Sequence, residues 1–129
     1  MPNLTLSWDD PGESIVRLDV HADYTWVEFS AAVAQVSALA ADKPHRCDIL
    51  INLGKYSAES SGIPAIQKAL GALDHLPRNV GLVIIVVGGL AGLIFNAAKR
   101  LDSRVASRAR TAPSVEKARE LVAQERQTT

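Results

Sequence analysis

Residues 80–98 read VGLVIIVVGGLAGLIFNAA, nineteen positions without a charged side chain. That is close to the length of an apolar helix able to cross a bilayer, and Gly88 and Gly92 stand at the spacing found where membrane helices pair. The order of residues inside the stretch points elsewhere. Val83 to Val87 is an unbroken β-branched run, Gly88-Gly89 interrupts any helix, and Leu90, Leu93, Ile94, Ala97 and Leu101 fall at helical spacing. A buried strand over 82–87, a glycine turn and a core helix from about Leu90 to Leu101 account for each of these features. No membrane span is therefore expected, and residues 82–95 are expected in the core or lining a ligand cavity.

Working outward from that strand gives a consistent alternation. Leu4 to Trp8 and Ile15 to Val20 alternate apolar and polar residues around DDPGES, whose Pro11-Gly12 step suits a turn, so they read as a β-hairpin. Thr25-Trp26-Val27-Glu28 has capping-box spacing and opens a helix whose stripe is Trp26, Phe29, Val33, Val36, Leu39 and Ala40, ending before Pro44. Cys47 to Leu53 reads as a strand, and Ile63, Ile66, Leu70 and Leu73 as the stripe of a second helix. Past the glycine-rich stretch, an edge strand is expected within Val105 to Thr111. Ser114 then caps a final helix through Val115, Ala118, Leu121 and Val122, and the polar tail 125–129 is expected to fray. The order β-β-α-β-α-β-α-(β)-α implies an α/β domain over 1–129, with a mixed β-sheet flanked by helices: parallel later strands and an antiparallel opening hairpin.

Composition narrows the function classes. A chain of 129 residues, 47% hydrophobic and 22% charged, buries a core without metal or disulfide. Cys47 is the single cysteine, and the first residues lack the basic and apolar regions of a signal peptide, so a cytoplasmic protein is expected. The zero net charge hides an asymmetry: residues 1–60 hold nine acids and four Lys or Arg, and residues 61–129 hold five acids and ten. Without an overall basic excess, nucleic acid is not an expected partner.

Few residues carry chemistry. His21, His45 and His75 are scattered, and neither a metal set nor a catalytic triad can be read. Asp9 with Asp10, and Asp19 with Asp23, flank turns, where aspartate serves backbone hydrogen bonding. Gly88-Gly89-x-x-Gly92 departs from a dinucleotide fingerprint and has no acid about twenty residues on, so no cofactor is expected. Lys99, Arg100, Arg104, Arg108 and Arg110 face a single acid, Asp102, and form a candidate anion or partner patch; a solvated helix end is the plainer reading. Glu59-Ser60-Ser61-Gly62, just before a helix, is both a helix cap and an electrostatically suited phosphate site, because free N–H groups and the positive end of the helix dipole meet there.

The strand DILINL, the loop ending ESSGI and the helix AIQKAL resemble the central part of STAS domains, the anti-sigma factor antagonist family. The element order matches across nearly the whole chain, and the motif covers about twenty-five residues. The resemblance implies a non-catalytic regulatory protein whose serine after the acid is phosphorylated by a partner kinase that doubles as the anti-sigma factor. By position, Ser60 is that phospho-acceptor, Ser61 and Gly62 complete the turn, and Glu59 stands where the family usually has aspartate. STAS-like domains also share their architecture with lipid-carrier domains, which leaves binding of an apolar or anionic small molecule as the alternative. The partners expected are thus a kinase or anti-sigma-like protein, a small apolar ligand, or a second copy of the chain.

Overall fold

The computed structural model describes residues 4–21, 24–54, 77–87 and 109–128. Five strands form one sheet in the order of the chain: β1 (Leu4–Trp8), β2 (Ile15–Val20), β3 (Cys47–Gly54), β4 (Val80–Val87) and β5 (Ala109–Ala112). β1 and β2 are antiparallel, and β2 through β5 run parallel, so the fold is α/β with a mixed sheet. The hairpin and the first helix fall where the alternation and the capping box put them. The expected edge strand is found over Ala109–Ala112, while residues 105–108 of that expectation and the second and third expected helices lie outside the described residues.

Helix α1 (Trp26–Ala41) starts at a reciprocal cap: the Glu28 amide donates to Thr25 Oγ1 at 3.1 Å, and the Thr25 amide to Glu28 Oε1 at 2.9 Å. Its last carbonyls are met from a distance. Asn79 Nδ2 donates to the carbonyls of Ala40 (2.8 Å) and His45 (3.0 Å), stitching the end of α1 to the start of β4.

Strand alternation divides the core in two. Val16, Leu18, Ile49, Ile51, Val83 and Ile85 face α1, where Phe29, Val33, Val36 and Ala40 are buried. Ile15, Leu50, Leu82, Ile84 and Val86 face the opposite side, where helix α2 (Val115–Thr128) lays Ala118 and Val122. β4 is buried on both faces and bonded on both edges, which is why its sequence is continuously apolar rather than alternating. Among the described residues no helix is long and apolar enough to cross a membrane.

The C-terminal tail departs from expectation. α2 continues through Thr128 instead of fraying from 125, because Arg126 reaches back to a buried carboxylate in β3. A polar tail frays only when nothing in the fold holds it.

Candidate functional site

The two ends of the parallel strands are built differently. At the amino end, the second residue of β3 is Asp48, an aspartate with 0% exposure between Cys47 and Ile49. Arg46 donates to its Oδ1 through Nε (3.2 Å) and Nη2 (3.0 Å), and Arg126 to its Oδ2 through Nε (3.0 Å) and Nη2 (2.7 Å). The Leu82 amide completes the set at 2.7 Å from Oδ1. That amide is free to do so because β4 carries a bulge there, three residues from Val80 to Val83 matching two from Cys47 to Ile49. Gly81 belongs to the same arrangement: a Cβ at this position would overlap the Arg46 guanidinium and the Asp48 carboxylate.

A second clamp lies beside the first. Asp9, at the end of β1, takes two hydrogen bonds from Arg119 (2.9 and 2.8 Å) and one from Arg17 (3.2 Å). The Arg119 guanidinium holds the Asp9 carboxyl below the usual carboxylate range against the opposing effect of burial, and Arg17 adds to it. Asp10 is also held low. Burial acts to raise it, but hydrogen bonds from the hydroxyl and amide of Ser14 and the amide of Ile15 outweigh that. Asp10 braces the turn through backbone amides, as its position suggested, whereas the Asp9 carboxylate bonds guanidinium groups instead and anchors α2. Among the described residues, no buried side-chain nitrogen or oxygen lacks a hydrogen-bond partner.

Cys47, buried beside Asp48, has its thiol pushed up, first by burial and then by the neighbouring carboxylate. It is not a poised nucleophile. His45 is exposed, with Nε2 3.1 Å from the Glu13 carbonyl, and His21 is exposed; His75 lies outside the described residues. Among the described residues no group of three His, Cys, Asp or Glu could hold a metal ion.

The carboxyl end is where parallel α/β sheets place their sites. Here Arg17 and Asp19 of β2 form an ion pair (Nε to Oδ2, 2.9 Å), and Asn52 of β3 donates to Asp19 Oδ1 at 3.1 Å. β3 then ends at Gly54, six residues before Ser60. Glu59, Ser60, Ser61 and Gly62 lie outside the described residues, as do Lys99, Arg100, Arg104 and Arg108. Arg110 alone of the candidate patch is described. It sits on β5 and lines an open groove of about 270 Å³ with Leu82, Leu121, Gln124 and Glu125, and its Nη1 donates to the Ala109 carbonyl at 2.9 Å.

The clamps were not anticipated from the sequence. Their partners are 110 residues apart for Asp9 and Arg119, and 78 for Asp48 and Arg126. Two signals existed: an aspartate inside CDILINL, which must be paired if buried, and arginines seven apart on one stripe of the last helix. No protein-family model matches the chain, and neither the curated proteins nor the solved structures contain a match.

Proposed function

We propose that this chain is a non-catalytic protein-interaction module of the STAS type, switched by phosphorylation at Ser60. The observation that carries the reading is the asymmetry of the sheet. Its amino end is closed by satisfied ion pairs, while its middle strand, β3, ends at Gly54, six residues before Ser60 in the sequence. A phosphate added there meets Glu59 beside it, so like-charge repulsion alters partner affinity more than it adds stability. The partner is a kinase or anti-sigma-like protein in the cytoplasm, and Arg110 with Lys99, Arg100, Arg104 and Arg108 is the cationic surface that steers an acidic one.

Pull-down from the native extract with phosphosite mapping tests this. The protein partner should bind wild type and Ser60→Ala and release Ser60→Asp, and equal binding by all three overturns the switch. A second reading rests on the groove at Arg110, whose lining of apolar Leu82 and Leu121 with polar Gln124, Glu125 and a guanidinium fits an amphipathic small molecule. Saturable binding of a fatty acid, lost in Arg110→Glu, would favour it.

A further inference from the structure

β1 is one of the two outer strands of the sheet formed by the described residues. Among the described residues nothing pairs with β1 besides β2. The Asp9 amide donates to the Ile15 carbonyl at 2.8 Å, which makes Asp9–Ile15 a hydrogen-bonded pair of the antiparallel ladder. Counting back in twos, Ser7–Arg17 and Thr5–Asp19 are bonded pairs as well, so Leu4, Leu6 and Trp8 turn their amides and carbonyls away from β2. Residues 4–8 carry no charge, no proline and no bulge. Those are three of the devices that keep natural edges from pairing, and residues 4–8 use none of the three.

We propose that the chain forms a two-fold symmetric homodimer in which β1 pairs antiparallel with β1 of a second copy about Leu6, joining two five-stranded sheets into one. The proposal goes beyond the switch and does not depend on it. The register follows from the outward groups. A dyad at Leu6 pairs Leu6 with its own copy and Leu4 with Trp8 of the second copy, so all three outward residues on each strand become bonded, giving six backbone hydrogen bonds. A dyad at Thr5 or Ser7 engages only two of the three and gives four.

Side chains agree with this register. Leu4, Leu6 and Trp8 are half-buried against the α1 side of the core, and Thr5 and Ser7 are exposed on the other face. Cross-strand neighbours share a face, so leucine meets leucine, Leu4 meets Trp8, and Thr5 meets Ser7, hydroxyl to hydroxyl. The apolar layer under α1 then continues across the dyad, with no charge brought against another. An unrelated strand has no reason to match this LTLSW alternation; a second copy matches it by symmetry.

Sedimentation equilibrium of the full chain between roughly 1 µM and 1 mM should show the mass rising from 13.8 kDa towards twice that value. Thr5→Lys/Ser7→Lys sets like charges opposite each other twice across the dyad and should weaken association about tenfold or more. Thr5→Lys/Ser7→Glu sets lysine against glutamate twice and should restore it. Both positions are exposed, so the melting temperature at the lowest concentration checks that each variant folds. A monomer at every concentration overturns the proposal, and so does a dilysine variant that folds and associates as tightly as wild type. Failure of the lysine–glutamate pair to restore association overturns the Leu6 register.

Discussion

Arg126→Met removes one of two guanidinium groups from Asp48 and leaves the apolar stem in place. Asp48 has no contact with solvent, so the lost charge is not replaced by water at the carboxylate itself. Taking one partner from a buried ion pair costs about 3–5 kcal/mol when the remaining charge is stranded. Here Arg46 and the Leu82 amide stay on Oδ1, and the Arg126 side chain is 35% exposed and keeps part of its hydration, so the cost falls to about 2–3 kcal/mol. At about 4 °C per kcal/mol for a chain of this size, the melting temperature should drop by about 8–12 °C. Urea unfolding at neutral pH measures the free energy directly, and the loss should persist in 0.5 M salt, since a pair on a buried carboxylate is poorly screened. A surface arginine on a loose tail would cost less than about 0.5 kcal/mol. A loss that small would refute the clamp and return residues 125–129 to a frayed end.

Ile84, with 0% exposure on β4, which is paired on both sides, should not tolerate a charge: Ile84→Asp should give no soluble protein, while Ile84→Val should cost about 1 kcal/mol by urea unfolding. Asp9 is held low by Arg119, so its contribution is present above the unfolded carboxylate pKa of about 3.9 and is lost as pH falls through the lower folded value. Stability measured from pH 6 down to pH 2 should therefore fall less steeply in Arg119→Met than in wild type. Thr25→Ala breaks the reciprocal cap of α1 and should cost about 1 kcal/mol in the same assay, with the helix content of the folded protein unchanged by circular dichroism.

Local rules made most of the fold legible. The hairpin, the capping box of α1 and the buried strand each depend on residues a few positions apart; the first two lie where expected, and the strand starts at Val80, two residues before the expected Leu82. The length of α2 was not legible because it depends on Asp48, far away in the chain and adjacent only once β2, β3 and α2 are assembled. Propensity sees a polar QERQT; the fold supplies a carboxylate. Of the candidate site residues, Arg110 was found on an outer strand beside a groove, and the motif itself follows the strand that leads to it.

The charge asymmetry along the chain takes its meaning from the same contacts. α2 buries only Ala118 and Val122 fully, with Val115 and Leu121 in part, and a fourteen-residue helix of such polarity is marginal by itself. So narrow an apolar stripe fixes its register weakly, because a helix shifted by one turn still offers leucine and valine to the sheet. Arg119 and Arg126 remove that freedom. Seven residues apart, they meet two carboxylates held on different strands, and any shift along the axis strands both. The acids of the first half and the bases of the second are thus consumed in part against each other, so α2 is tied to the sheet instead of standing as a solvated polar appendage. Because Leu121, Gln124 and Glu125 wall the groove at Arg110, the register set by the clamps also sets the shape of that groove. Loosening either clamp should therefore change the shape of the groove before it unfolds the sheet.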